Sequence, residues 1–350
     1  MRGFFVCRNL LKELLIFCYF YSTSKPTVVK KFYSFLFLFL PISIIAQTDD
    51  KLFIADMLTI AENFSQPAAN AAGYQASAGW FSSASTLEKW DFRVSLHGNA
   101  LFVPSDKKTF SLSNANLKLL EIEGAESAEL PTAFGGKTEF RFVGNINYLG
   151  QDIPVDFNAI DGIGRDYVPH AFLQAAVGVS AGTEITVRAM PQITIDGVTA
   201  STYGVGVKHN LSQYFGYNYA EDFQLALGVS YSMLNVQYEY EPVEVEGLLV
   251  LDMITVDANL FMAEVIGSKR WNSFELFGAA GAMTSAFKYE MGGNGILLPQ
   301  VNTEVDRIED STAQFKGDVG FNFYYDRFRF SAMGTFGEFF NANLGLHVSI

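Results

Sequence analysis

The chain has 350 residues, of which 49% are apolar, 15% aromatic and only 17% charged, with a formal net charge of −13. That apolar fraction excludes a disordered chain, and the acidic balance excludes nucleic acid as a partner, because binding phosphate needs a basic surface. Beyond the N-terminal region no run of about 18 consecutive apolar residues occurs, which excludes a bundle of membrane helices.

Residues 1–46 read as a targeting region that is removed. Lys30-Lys31 precede the apolar run from Phe32 to Ile45, and Ala46-Gln47-Thr48-Asp49-Asp50 follow. A basic flank, a short apolar run and a small residue before a polar stretch match a secretory signal with cleavage after Ala46. A second apolar patch from Leu10 to Tyr21 lies upstream, so the region is either an unusually long signal or an ordinary one that starts near Val28. Cys7 and Cys18 both fall here, which leaves the mature chain without disulfides, a thiolate nucleophile or cysteine metal sites. An exported, acidic, cysteine-free chain fits the outer membrane of a Gram-negative cell.

Residues 47–89 form the next segment. Ile54, Met57, Leu58, Ala61 and Phe64 recur at helical spacing, Asp49 or Asp50 can cap the start, and Pro67 predicts the end, with Gln66 to Gly73 as a loop. This is either a helix packed on an ordinary core or a short plug inside a barrel.

From Trp90 to Ile350 the period changes to two. Val94, Leu96 and Phe102 alternate with Arg93, Ser95 and His97; Val187 alternates with Arg188, Val207 with Lys208, and Val319 and Phe321 with Asp318 and Asn322. Ile254, Val256, Ala258 and Leu260 alternate with Thr255, Asp257 and Asn259. Repeated alternating segments long enough to cross a bilayer predict a transmembrane antiparallel β-barrel of about 12 strands, with 10 to 14 admissible. The segments are 92–103, 108–122, 137–148, 172–180, 184–195, 200–211, 223–240, 250–266, 271–288, 312–325, 328–337 and 342–350. Short turns at Ala181-Gly182, Ser268-Lys269-Arg270 and Asp326-Arg327 belong on the periplasmic side, and the links 149–171, 241–249 and 289–311 outside. A change of phase between Tyr231 and Leu234 predicts a bulge or an extension above the membrane. Tyr203, Tyr231, Phe274, Tyr325 and Phe328 fit interfacial girdles, and the outer face makes membrane lipid a partner.

Charges within strands belong on the lumenal face, because a basic residue facing lipid at mid-depth costs roughly 2–4 kcal/mol. The lumen-lining candidates are Arg93, Arg188, Lys208, Asp257, Glu264, Glu275, Lys288, Lys316, Asp318 and Arg329. Opposite charges there pair across strands and close the lumen.

Pro67-Ala68, the segment Ala78-Gly79-Trp80-Phe81-Ser82-Ser83-Ala84 and the stretch from Phe172 to Pro191 carry a resemblance. The chain resembles the outer-membrane transporters for long-chain fatty acids and other hydrophobic compounds. That family has an N-terminal hatch with Asn-Pro-Ala, where this chain has Gln66, followed by a 14-stranded barrel. The resemblance implies passive uptake of a hydrophobic small molecule past the plug, without nucleotide hydrolysis. Such a ligand needs an apolar surface interrupting a polar lumen, and the candidates are Ile54, Met57, Leu58, Phe64, Trp80 and Phe81. The alternative is a non-transporting barrel with a structural, adhesive or protein-secretion role.

The four histidines show no metal-ligand spacing, and neither Gly-x-Ser-x-Gly nor a P-loop occurs. The expectation is a protein that is not an enzyme and needs no metal or cofactor.

Overall fold

The computed structural model describes residues 49–195, 197–216, 223–307 and 310–350. The expected signal region 1–46 lies outside the described residues. Ten strands form one closed antiparallel barrel: β1 (Phe92–Phe102), β7 (Tyr167–Gly178), β8 (Thr183–Ile195), β9 (Val198–Asn210), β10 (Gln224–Val245), β11 (Leu249–Trp271), β12 (Phe274–Asn294), β13 (Asp310–Tyr325), β14 (Phe328–Gly337) and β15 (Phe340–Ser349). Pairing of β1 with β15, from Arg93–Ser349 to Phe102–Phe340, closes the ring.

The alternation of the sequence becomes two faces. Val94, Leu96, Val187, Val205, Phe261, Phe321 and Leu344 point outward and are exposed, whereas Ser95, His97, Thr186, Arg188, Lys208, Asn322 and Asn343 are buried inside. A monomer in water does not carry a continuous apolar belt of this extent. With the ring of strands closed and the belt facing hydrocarbon, the molecule is an outer-membrane β-barrel. Tyr203, Tyr231, Phe274, Tyr325 and Phe328 are all exposed on this surface.

One end carries tight turns. Ala181, Asn272 and Asp326 adopt left-handed φ values of 56°, 51° and 51°, as two-residue hairpins require. The turn at Asn272-Ser273 lies beyond the expected 268–270 because β11 continues to Trp271. The other end carries the two longest connections, between β1 and β7 and between β12 and β13, so the turn end is the periplasmic one.

Two expected strands are absent from the wall. Segments 108–122 and 137–148 instead belong to an insertion, 103–166, that holds β2 (Thr109–Ser113), β3 (Glu121–Ile122), β4 (Ser127–Pro131), β5 (Arg141–Tyr148) and β6 (Gln151–Asn158). These make small sheets, β2 with β4 and β3 with β5 and β6. Their apolar faces bury Leu112, Leu120, Phe142, Ile146 and Val155 in a local core at the loop end, so lipid is not needed to satisfy the alternation. Lys107 pairs with Glu338 at 2.7 Å and anchors the insertion to the barrel rim. Lys108 bonds Asp166, and that contact holds the Asp166 carboxyl below the ordinary carboxylate range. The expected loop 149–171 is thus only the last part of a larger cap, and 289–311 contains helix α2 (Leu298–Val305).

Helix α1 (Asp49–Ser77) starts in that cap and runs down the lumen. At 29 residues it is about 43 Å long. It passes straight through Pro67 instead of ending there. Ala68, Ala69, Ala71 and Ala72 have high helix propensity, and the surrounding wall supplies the packing that offsets the lost hydrogen bond. At its start Asp56, 1% exposed, accepts hydrogen bonds from the backbone N–H groups of Lys118, Leu119 and Leu120 at 2.7–3.0 Å. Nothing in the sequence pattern marks Asp56, since its partners lie more than 60 positions away.

The lumenal and outer faces exchange character with height on β10–β12. Near the turn end Ser230, Ser232, Glu264 and Ser268 face inward. Higher up the inward residues are Leu234, Ile254, Ala258, Leu260, Met283 and Phe287. Register runs unbroken through Tyr231–Phe261 and Leu234–Ala258, so no bulge lies between Tyr231 and Leu234; the irregularity falls at Glu239–Val243. These strands, 21 to 23 residues long, project beyond the bilayer, where the outer face meets water and the inner face meets α1. Asp257 and Lys288, both placed in the lumen by the alternation rule, therefore point outward. Asp257 accepts a hydrogen bond from Asn235 at 2.8 Å, and the Lys288 side chain is 79% exposed beside Asp306.

Candidate functional site

The lower lumen is filled by the extended segment 78–88, which leaves the end of α1 and descends to the turn end, where Trp90 N–H bonds Gly178. An extended segment with no strand neighbour has backbone groups to satisfy, and side chains of the wall satisfy them. Asn322 donates to Ser82 O at 2.6 Å, Lys208 to Ser83 O and Ser85 O at 3.1 and 2.7 Å, and Asn210 to Ala84 O at 3.0 Å, while Arg188 Nη1 donates to Ala76 O in the last turn of α1 at 2.9 Å. Glu275 accepts from Ser83 Oγ at 2.7 Å, and Glu184 from Leu87 N–H at 3.1 Å.

The charges also pair among themselves. Lys316 sits between Glu264 and Asp318 at 2.5 and 2.8 Å, with the side chains of all three about 1% exposed. Glu184 lies 3.4 Å from Lys208 and 3.8 Å from Arg93. Arg329 reaches Ser82 Oγ and His347, and His347 contacts Ser95 and Ser331 at 2.7 and 2.8 Å. The void left in this layer measures about 20 Å³, room for a single water. Arg93, Arg188, Lys208, Glu275, Lys316, Asp318 and Arg329 thus line the lumen, and of these Lys208, Glu275 and Arg329 bond segment 78–88 directly, whereas Asp257 points outward.

The plug's two aromatics fit against glycines of the wall. A Cβ on Gly206 would come within 2.9 Å of the Trp80 ring, and one on Gly228 within 2.5 Å of Phe81. The Arg188 guanidinium lies between Trp80 and Phe172, 4.1 and 3.9 Å from the ring centroids. It is both a hydrogen-bond donor to the last turn of α1 and the filling of an aromatic sandwich. Arg188→Ala is expected to loosen segment 78–88 and to raise the ion conductance of the barrel in planar bilayers clearly above the wild-type baseline.

Above this layer lies a cavity of about 420 Å³. Its walls are Phe64, Ala68 and Ala72 of α1, Ala133 and Ile163 of the insertion, and Met190, Ala200, Leu234, Val236, Ile254 and Phe287 of the strands. Of the six apolar candidates, Phe64 lines this cavity. Ile54, Met57 and Leu58 belong to the core at the loop end, and Trp80 and Phe81 to the sealed layer beneath.

The cavity reaches a break in the barrel wall. β7 pairs with β1 along its whole length, and β8 pairs with β9 up to Ile195–Val198. Between β7 and β8, register holds only from Gly178–Glu184 to Leu173–Ala189. Above that point Tyr167–Phe172 and Met190–Ile195 face each other unpaired. Tyr167, Val168, Pro169, His170 and Ala171 on one side and Met190, Ile193 and Ile195 on the other all line the cavity, so it opens sideways through this seam. Each edge carries a proline, Pro169 and Pro191, which removes a donor from the ladder, and the β8–β9 register slips between Met190 and Ile193. Gln75 Nε2 of α1 donates to Val168 O of β7 at 2.7 Å. Gln75 escapes sequence reasoning because it lies just past the stretch 66–73 that reads as a small-residue loop. Pro191 within segment 184–195 and Pro169 just before segment 172–180 are the local signals for the seam.

A family model matches residues 27–350. The chain belongs to the DUF6588 family, described as a family of unknown function. No curated protein matches it. Among solved structures, the DUF6588 chain is similar to the outer membrane protease OmpT from Escherichia coli, with 12% identity over 77% of this chain and 100% of that one and a TM-score of 0.30. It is similar also to the β domain of the Bordetella autotransporter BrkA, with 6% identity, 75% and 99% coverage and a TM-score of 0.35. For Ail, the attachment invasion locus protein of Yersinia pestis, the identity is 11%, the coverage 75% and 99%, and the TM-score 0.25. These similarities transfer no residue role to the DUF6588 barrel.

Proposed function

We propose that this DUF6588 barrel passively takes up a hydrophobic small molecule and passes it sideways into the membrane rather than down the lumen, with no covalent chemistry, metal or cofactor. The observation that carries this reading is the apolar cavity opening through the β7–β8 seam, directly above a lumen closed by segment 78–88. A polar solute gains nothing from such a cavity, and ions or an unfolded polypeptide find no continuous path beneath it. An apolar solute is transferred from water to cavity to hydrocarbon without meeting the charged layer, a downhill sequence of roughly 25 cal/mol per Å² of apolar surface removed from water. The same sealed layer disfavours the secretion reading.

The test is reconstitution into lipid vesicles with a lipophilic fluorescent probe presented outside. Uptake is expected to exceed that of protein-free vesicles severalfold, with ion conductance at background. Probe uptake equal to that of protein-free vesicles would refute the proposal.

A further inference from the structure

The seam has a definite height in the barrel. β7 runs 12 residues from Tyr167 down to Gly178 at the turn end. On a strand tilted about 35–45° with about 3.3 Å per residue, those steps climb roughly 26–30 Å, the height of the apolar band of such a barrel. At the top Tyr167, 46% exposed, meets Phe102 at 6.4 Å between ring centroids, and Phe102 meets Phe340 at 5.5 Å. Exposed aromatics at that height mark the outer membrane–water interface. The unpaired stretch from Tyr167 to Phe172 therefore opens onto the hydrocarbon of the outer leaflet. Behind it the cavity measures about 420 Å³. An apolar cavity of about 150 Å³ takes one benzene, or roughly 25 Å³ per carbon atom, so this one takes about 17 carbons.

We infer that the cavity binds one acyl chain of an outer-leaflet lipid, which enters through the seam from the membrane while its headgroup stays at the level of Tyr167. Water fills such a space poorly, because a buried water needs about two to four polar partners and walls such as Ala68, Leu234, Val236 and Ile254 offer none. Apolar walls without atoms against them forfeit dispersion contacts. An acyl chain is as apolar as these side chains and is already out of water, so it moves in without a transfer penalty and gains neighbours on every side. It is also the molecule that lies against the mouth at all times. The inference rests on the lateral opening that carries the uptake reading, and it gives that opening a resting occupant for an incoming solute to displace.

The experiment uses the full chain in phosphatidylcholine vesicles doped with a phosphatidylcholine that carries a diazirine at the end of an acyl chain of about 16 carbons, the length the volume admits. A parallel sample carries the matching free fatty acid. After irradiation, adducts are mapped by peptide mass spectrometry. Phospholipid adducts are expected on Val236, Ile254 and Phe287 of the cavity as well as on outward residues such as Leu173 and Val187. Ala68→Phe together with Ala72→Phe is expected to lower the interior adducts at least about fivefold and to leave the outward ones unchanged, because the rings take the volume the chain needs. Ala200→Phe, on the strand wall of the cavity, gives a second variant with the same expectation. Phospholipid adducts confined to outward residues would overturn the inference; if the free acid still labelled the interior, hydrophobic uptake would stand without it. Interior adducts that persist in both variants would overturn it as well. Interior phospholipid adducts with probe uptake at background would support the inference and remove the uptake reading.

Discussion

Lys316→Met is expected to destabilise the barrel by about 3–5 kcal/mol, the range for removing one partner of a fully buried ion pair. Lys316 lies 2.5 Å from Glu264 and 2.8 Å from Asp318, and without it two carboxylates are left in a water-poor layer with no cation between them. Asp318 is held in addition by Thr335 Oγ1 at 2.6 Å, so it cannot turn away without breaking a second contact. The ammonium also reaches Ser77 O at 3.4 Å, where α1 ends and the plug begins, so plug and wall loosen together. Urea unfolding in lipid vesicles, followed by tryptophan fluorescence, measures the loss. Adding Glu264→Gln and Asp318→Asn to Lys316→Met removes the charges and is expected to recover most of it, because neutral groups of similar shape tolerate burial far better than unpaired ions. A loss under about 1 kcal/mol for Lys316→Met would show that water already reaches this layer and that the plug does not seal the lumen.

The second large effect concerns the cavity. Ala68 and Ala72 stand one helical turn apart on α1, both half-buried on the cavity wall, and their small side chains leave the space open. Phenylalanine at both positions is expected to fill it and to lower uptake of a lipophilic probe at least about tenfold. The added rings enter empty volume and do not press on packed neighbours, so stability is expected to stay within about 1 kcal/mol of wild type, below the usual range for overpacking. Vesicle uptake and urea unfolding on the same preparation separate the two readouts. Unchanged uptake with the cavity filled would mean that the solute takes another route, and the lateral reading would fall.

Several features were legible without coordinates. Alternation of Val94, Leu96, Val187 and Val207 with Ser95, His97, Arg188 and Lys208 fixes a wall with one greasy and one wet face, because a period of two leaves no other disposition for a strand in a bilayer. The inward position of Arg188, Lys208, Lys316 and Asp318 follows from the cost of the alternative. Asp326 marks a tight turn by its tolerance of a left-handed backbone, whereas the turn expected at 268–270 falls at Asn272.

Alternation says which residues share a face and not what that face meets. Segments 108–122 and 137–148 alternate like the wall, yet their apolar sides close on α1 and on each other, so ten strands and not twelve make the barrel. Asp257 and Lys288 alternate like lumenal residues, yet at their height along the long strands β11 and β12 the outside is water and the inside is helix. The seam is a matter of pairing between strands, and no single strand encodes it. Its prolines are local signals, but the loss of register above Leu173–Ala189 is a property of the β7–β8 pair. Period and composition thus determined a membrane barrel, because burial in hydrocarbon is a property of each strand by itself. The cavity, its opening and the seal beneath it were decided by the tertiary structure, because they arise where a helix, a plug and ten strands compete for one interior.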